Sequence, residues 1–451
     1  MFDIAVINAS IVGETSIYSG NIFIKDGKIA AITDCDITYD TKSVIDAKGN
    51  YVFPGLIDTH SHFGDPTNPN VETCKCCTTA AAVGGFTTCI DMPNNVPTIL
   101  NAERFHKKLA YLETESMVDY ALYGALVKDN QNDLEAMHDA GAIAFKSFLH
   151  CGGGDFTYPT MYEAKMALDE IRKFNGLAAF HCEETTINEG LLQKMTAEKL
   201  NTRQDFLNSR PVYSEVIASK SIIELARATG CRVQICHVSH PEVAKAISQA
   251  QKEGVNITGE TCVHYLVFNE NDFLEKGCLY KCAPPLRSQE ASDELWSYVE
   301  DGTLTSVASD HSAGLPDQRD DSAHPIYELG NGISGIQTVL QSFFHKAIHI
   351  RKNSPCLITR RMSADPARRF GIYGKKGAIS PGFDADLVIL DPEKEWEVTP
   401  DSLYYVQKIS AFVGTRGKGL PILTMLRGKI IAKDYKACCE SGYAKFIRSI
   451  S

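Results

Sequence analysis

The run Val233-Gln-Ile-Cys-His237, the stretch 241–253 and the run Val255-Asn-Ile-Thr-Gly259 read in order as a short strand, an amphipathic helix and a second short strand. Working outward, the same rhythm recurs. Leu56-Ile-Asp-Thr-His60, Thr87-Thr-Cys-Ile-Asp-Met92, Tyr120-Ala-Leu-Tyr-Gly124, Ile143-Ala-Phe-Lys146, Leu177-Ala-Ala-Phe-His181 and Thr305-Ser-Val-Ala-Ser-Asp310 are further apolar runs, separated by helix-like stretches such as 214–229. Eight strands alternating with helices predict an α/β fold of the (β/α)8 TIM-barrel type. A doubly wound open sheet is the competing architecture, but no G-x-G-x-x-G follows any of these strands.

Both ends of the chain have a different pattern. Asp3-Ile-Ala-Val-Ile7, Gly20-Asn-Ile-Phe-Ile24 and Asp26-Gly-Lys-Ile-Ala-Ala-Ile32 alternate with turn residues, as do Asp384-Ala-Asp-Leu-Val-Ile-Leu390 and Ile422 to Ala432. Neither end has strands enough for a stable unit. The expectation is one small β-sandwich domain built from 1–53 and 376–451, flanking a barrel over 54–375. Composition agrees with a globular enzyme: 451 residues, 44% hydrophobic and 22% charged, with 45 basic against 56 acidic side chains and a net charge of −11. That balance argues against nucleic-acid or anionic-membrane partners. No apolar stretch reaches membrane-span length, Met1-Phe2-Asp3-Ile4 does not open like a signal peptide, and fifteen cysteines without such a signal suit a reducing cytoplasm. Cys74-Lys-Cys-Cys77 contains a C-x2-C spacing but has no second pair to complete a site, and it leads into a helix-like Ala-rich run, so it reads as a buried helical patch.

The chemistry-bearing residues gather at strand ends. Strand one ends His60-Ser-His62, strand four at Lys146, strand five at His181, strand six at His237 and strand eight at Asp310. In a barrel these ends converge on one face, and residues i and i+2 of a strand share a side, so His60 and His62 can grip one ion. A lone histidine at a strand end is usually only a satisfied polar residue. Four imidazoles and a carboxylate at consistent strand ends instead make a metal centre suited to Zn²⁺, with Mn²⁺, Co²⁺ and Fe²⁺ also accepted by such ligands. Lys146 would, in the simplest reading, snorkel or lose its charge on burial.

Pro54-Gly-Leu-Ile-Asp-Thr-His-Ser-His62 resembles the opening motif of the cyclic amidohydrolases, the hydantoinases, dihydropyrimidinases, allantoinases and dihydroorotases. The resemblance runs through Gly84-Gly-Phe-Thr-Thr88, Asp91-Met-Pro-Asn94, Ala144-Phe-Lys146-Ser-Phe148, His181-Cys-Glu183, Cys236-His-Val-Ser239, Glu260-Thr-Cys-Val-His-Tyr265, Lys281-Cys-Ala-Pro-Pro-Leu-Arg287, Ser309-Asp-His-Ser312 and Gly382 to Leu390. It implies two divalent ions, with His60, His62 and Asp310 on one, His181 and His237 on the other, and a carboxylated Lys146 bridging them. It further implies a bridging hydroxide as nucleophile, Asp310 as the group carrying its proton to the leaving nitrogen, a cyclic ureide substrate opened to a carbamoyl acid, and a homotetramer.

Departures from the family pattern narrow the ring. Dihydroorotases carry an Arg two residues after the second His to pair with their substrate's carboxylate; here Gly64 stands there. Dihydropyrimidinases and many D-hydantoinases carry a Tyr a few residues after the Lys; here Ser147 to Gly154 contains none, and its Cys- and Gly-bearing run is closer to allantoinases, as is Ser209-Arg-Pro-Val-Tyr-Ser-Glu215. Ala283 to Ser288 and Gly330-Asn331-Gly332 resemble hydantoinases, in which the Asn meets the imide edge of the ring. The expectation is therefore a five-membered ureide, allantoin or a hydantoin, with Asn331, Asn94 and Asn95 as substrate contacts. The simpler reading of Asn94-Asn95 is turn chemistry after Met92-Pro93. A dihydropyrimidinase or a non-catalytic scaffold relative is the alternative. Mononuclear deaminases share the His-x-His and distal Asp but need no strand-four Lys.

Overall fold

The computed structural model describes residues 1–34, 40–64, 66–150, 155–438 and 440–450. The N-terminal strands are β1 (Phe2–Val12), β2 (Ile17–Lys25), β3 (Lys28–Thr33), β4 (Thr41–Asp46) and β5 (Tyr51–Pro54). The central strands are β6 (Leu56–Ser61), β7 (Phe86–Asp91), β8 (Asp119–Ala125), β9 (Ala144–Phe148), β10 (Leu177–His181), β11 (Arg232–Ile235), β12 (Ile257–Cys262) and β13 (Leu304–Ala308). Four more, β14 (Leu387–Glu397), β15 (Arg416–Leu426), β16 (Lys429–Lys433) and β17 (Lys436–Ala437), follow.

Strands β6 to β13 pair in sequence order, each parallel to the next, with helices between them. The first and last strands meet through a Ser61–His311 bridge, the His62 N–H donating to His311 O (3.0 Å), and Asp58 accepting from the Ser309 N–H (3.0 Å) and hydroxyl (2.5 Å). The eight expected strands are these eight, and the fold is the (β/α)8 barrel. The expected helices over 214–229 and 241–253 are Val212–Thr229 and Pro241–Lys252, the second burying Val243, Ala244, Ile247 and Ala250 as its pattern requires. Cys74–Val83 is a helix capped by the Thr73 hydroxyl, with Cys74 and Cys77 buried in the core. All twelve described cysteines are free thiols. No helix of the described residues is long and apolar enough to cross a membrane.

The two chain ends join in one nine-stranded sheet, ordered β17-β16-β15-β14-β5-β1-β2-β3 with β4 also on β1. Their junction is the antiparallel β5–β14 ladder, Tyr51 opposite Leu390 through Pro54 opposite Leu387. Asp26-Gly27 and Arg427-Gly428 make the tight hairpins, all four residues at positive φ, as two-residue turns between twisted strands require. Strand alternation gives the sheet two apolar faces. Ile11, Ile22, Ile24, Val52, Leu387, Ile389 and Met425 form its own core. Phe53, Val388, Leu390 and Leu426 join the main core of the barrel.

Beneath the barrel a buried ion cluster ties these parts together. Lys376 Nζ lies 2.6 Å from Asp119 of β8, 3.0 Å from Asp384 and 2.5 Å from Asp386, with Arg427 also on Asp119 and Lys28 2.6 Å from Asp384. Burial opposes the Lys376 charge, but the three carboxylates outweigh it and hold the ammonium above its usual range.

Candidate active site

The C-terminal strand ends carry the groups expected there. Lys146, in β9, is fully buried, and its Nζ lies 3.5 Å from His237 Nε2. His60 and His62 point their Nε2 atoms at Asp310 Oδ1, 3.3 and 3.4 Å away. The rings of His60 and His237 stand 5.2 Å apart and those of His181 and His237 4.5 Å apart. All six side chains expected as ligands therefore meet in one place, although they come from five strand ends.

His237 and Asp310 follow their strands at φ of 36° and 43°, a left-handed conformation that costs a non-glycine residue on the order of 1–3 kcal/mol. It turns both side chains away from the strand direction. Burial, reinforced by the Lys146 charge, holds the His60 imidazole below its usual range. Burial also lowers His181, and His237 well below its usual value. Neutral rings are the ligand form. Burial alone would raise the Asp310 carboxyl, but His60 and His62 outweigh it and keep it ionised.

Neighbouring groups decide which ring nitrogen faces inward. Glu260, within β12, accepts from His60 Nδ1 (2.8 Å), from the Thr59 hydroxyl (2.5 Å) and from Gln234 Nε2 (3.2 Å), so His60 presents Nε2. Glu183 lies 2.7 Å from His181 Nε2 and accepts from Arg210 (2.5 Å). Burial pushes the Glu183 carboxyl up, but Arg210 and His181 outweigh it and hold it ionised. His150 Nε2 is 2.9 Å from His181 Nε2. In the sequence Glu260 and Glu183 stand only as members of motifs, and His150 only within the run 147–154. The i, i+2 spacing of His181 and Glu183 was the one available signal; nothing local pairs Glu260 with His60, 200 residues away.

A cavity of about 590 Å³ opens over this cluster. Asn94, Asn95 and Asn331 all line it. The buried Asn94 Oδ1 has no partner among the described residues, whereas the Asn95 amide donates to Met92 O (2.8 Å) within its own turn. His264 does not line the cavity, and both its ring nitrogens are buried without partners among the described residues. The Cys151–Gly154 part of the loop after β9 lies outside the described residues. Among the described lining residues there is no Arg or Lys. Lys108 is held by Asp91 (3.0 Å), and Arg287 by Glu215 (3.0 Å), Ser239 and Arg210 O. Gly64 has φ +83°, and a Cβ there would stand 2.6 Å from Glu72 O, so the loop geometry excludes any side chain.

Residues 51–431 match the model of the amidohydrolase family. The chain belongs to the amidohydrolase family. This amidohydrolase is 34% identical over 436 residues to the allantoinase of Escherichia coli O1:K1 / APEC, covering 95% of both chains, and 33% identical to that of Salmonella choleraesuis (strain SC-B67) over the same share. Among solved structures it resembles the L-hydantoinase (dihydropyrimidinase) from Arthrobacter aurescens, with TM-score 0.97, 32% identity and coverage of 99% of this chain and 100% of that one. A D-hydantoinase structure matches with TM-score 0.91, 28% identity and 99% coverage of each chain.

Proposed function

We propose that this cyclic amidohydrolase opens a five-membered ureide ring, allantoin or a hydantoin, to a carbamoyl acid. The observation that carries the reading is the buried Lys146 facing His237, whose ring stands beside those of His60 and His181, with Asp310 facing His60 and His62, under a cavity lined by no Arg or Lys among the described residues.

The residues fit a pair of divalent ions. Among the described residues no carboxylate forms an ion pair with the buried Lys146, and the buried His237 Nδ1 has no hydrogen-bond partner. His60, His62 and Asp310 would hold one ion, His181 and His237 the other, and Lys146, as its N6-carboxy form, would bridge them. When bound, the ions supply Lewis-acid polarisation of the scissile carbonyl and a lowered pKa for the attacking water. Zn²⁺ suits the donor set best.

Asp310 takes the proton of the attacking water on its carboxylate and hands it to the ring nitrogen as the amide bond breaks. Glu260 and Glu183 hold the His60 and His181 rings in orientation throughout. Asn331 and Asn94 supply amide donors and acceptors to the imide edge of the ring, with Asn95 forming the wall beside them. In this reading residues 54–375 carry the chemistry in the cytoplasm, 1–53 with 376–451 form the composite β-domain, and four copies assemble.

Metal analysis and a substrate panel of allantoin, hydantoin, 5-phenylhydantoin, dihydrouracil and dihydroorotate test the proposal. Two ions per chain and turnover of a five-membered ring are expected. One ion per chain points to mononuclear deaminase chemistry, and none to a scaffold. The Arthrobacter relative's second name, dihydropyrimidinase, makes a six-membered ring the second reading, which preferred turnover of dihydrouracil would establish. Lys146→Ala should lose metal and activity together, with partial return of both on adding a short carboxylic acid. An unmodified Lys146 amine in active, metal-loaded enzyme would refute the bridge.

A further inference from the structure

The long loop after β13 contains the turn Leu329-Gly330-Asn331-Gly332, whose last three residues line the cavity over the strand ends. Three successive carbonyls of this turn accept hydrogen bonds from side chains that do not line that cavity. Leu329 O accepts from Lys281 Nζ (2.6 Å), Gly330 O from Arg319 Nη1, and Asn331 O from Arg319 Nη2 (3.4 Å). The Gly332 N–H donates to Lys281 O (2.9 Å). The Ser312 N–H, two residues beyond Asp310, donates to Ile333 O (3.2 Å).

Arg319 ends the short helical turn Asp317–Arg319 and is half-buried. Burial lowers its guanidinium to about 10, so it stays charged at neutral pH, and among the described residues no carboxylate forms an ion pair with it. Its charge is directed instead at two adjacent carbonyls, and hydrogen bonds from a charged donor are about twice as strong as neutral ones. The room for this side chain is specific. A Cβ on Gly314 would stand 2.8 Å from Arg319 Nη2 and 2.9 Å from its Nε, so the guanidinium fits because that residue has none. The rest of the loop is held independently, by Asp321 on Arg203 (2.5 and 3.2 Å) and by the Ile326 N–H on Asn201 Oδ1 (2.7 Å).

We infer that Arg319 is a positioning residue, which holds the 329–332 turn from outside the cavity so that the Asn331 side chain meets the substrate ring. The inference rests on the ring-opening function and the Asn331 contact proposed above. Residues 329–332 belong to no strand or helix, so these side-chain bonds supply the support that a ladder gives a strand. Without the guanidinium, two neighbouring carbonyls lose their charged donor and the turn relaxes. A misplacement of about 1 Å in such a group can cost about 100-fold in rate. Asn331 meets the ring both before and during bond breaking, so its misplacement weakens ground state and transition state alike and appears in KM.

The test measures kcat and KM of the metal-loaded enzyme, on the ring of the panel that wild type opens fastest, for Arg319→Met, Asn331→Ala and the double variant. Arg319→Met should bind as much metal as wild type and raise KM about tenfold or more, while kcat falls by less than about threefold. Because both residues act through one contact, KM of the double variant should lie within about twofold of Asn331→Ala, and losses that multiply overturn the inference. An unchanged KM in either single variant overturns it as well, whatever happens to kcat or metal content. If Arg319→Met does not fold, Gly314→Ala takes its place in the cycle. That variant keeps every hydrogen-bonding side chain but pushes the guanidinium off its carbonyls, so KM should rise in the same way, and an unchanged KM overturns the inference. Wild-type enzyme that opens none of the rings overturns the functional proposal itself, a distinct result.

Discussion

Replacing Glu260 with Gln isolates the orientation of a metal-binding histidine from the histidine itself. Glu260 is fully buried, and both its oxygens are used: Oε1 faces His60 Nδ1 at 2.8 Å, and Oε2 accepts from Thr59 at 2.5 Å and Gln234 at 3.2 Å. Glutamine is nearly the same shape and keeps one oxygen for His60, so the ring stays in place. What changes is the charge of the acceptor. A hydrogen bond to a charged group contributes about 1.5–3 kcal/mol against about 0.5–1.5 for a neutral one, a difference of about 1–1.5 kcal/mol. That converts to about a five- to twelvefold loss of metal affinity. The Gln amide must also face Gln234, whose own amide can turn over because its Oε1 is engaged only by Thr258 at 3.5 Å. Together these place the expected loss at about 10–100-fold, the range seen for partners of metal-bound histidines. The assay is competition for Zn²⁺ against a chelator of known affinity, with thermal unfolding of the apo-protein as the control for folding. Affinity within twofold of wild type, in a variant that folds normally, would refute the claim that Glu260 acts through His60.

Asp310→Asn should retain the fold and most of the metal while turnover falls by about two orders of magnitude or more, because the amide cannot accept the nucleophile's proton; more than a tenth of wild-type kcat would make Asp310 a ligand only. Gly64→Arg should lower activity on every ring and create no dihydroorotate hydrolysis, since its Cβ would press on Glu72 O and the left-handed backbone adds about 1–2 kcal/mol of strain. Dihydroorotate turnover comparable to the best hydantoin, in the wild type or this variant, would show that a cation outside the described cavity wall pairs with the ring carboxylate. Lys376→Met should destabilise the joint between sheet and barrel by about 3–5 kcal/mol, because it strips the counter-charge from buried carboxylates. Differential scanning calorimetry reads this as a lower unfolding midpoint, and an unchanged midpoint would mean that Arg427 and Lys28 balance the cluster alone.

Short-range patterns in the chain determined the eight barrel strands, their helices and the kinds of residue at their C-terminal ends. A strand or helix declares itself by the alternation of its own side chains, and a barrel forces strand ends onto one face. The convergence of His60, His62, Lys146, His181, His237 and Asp310 on one face was legible for that reason, whereas a ligand role for Lys146 came only from the family resemblance. What no local pattern holds is the partner a side chain finds across the fold. Glu260 reaches His60 from 200 residues away, Lys376 joins Asp119 to Asp384 and Asp386, and Arg287, a free cation on paper, is consumed by Glu215 and Ser239. Gly64 reads as a missing arginine in one dimension, whereas in three it is a backbone position with Glu72 O in the way.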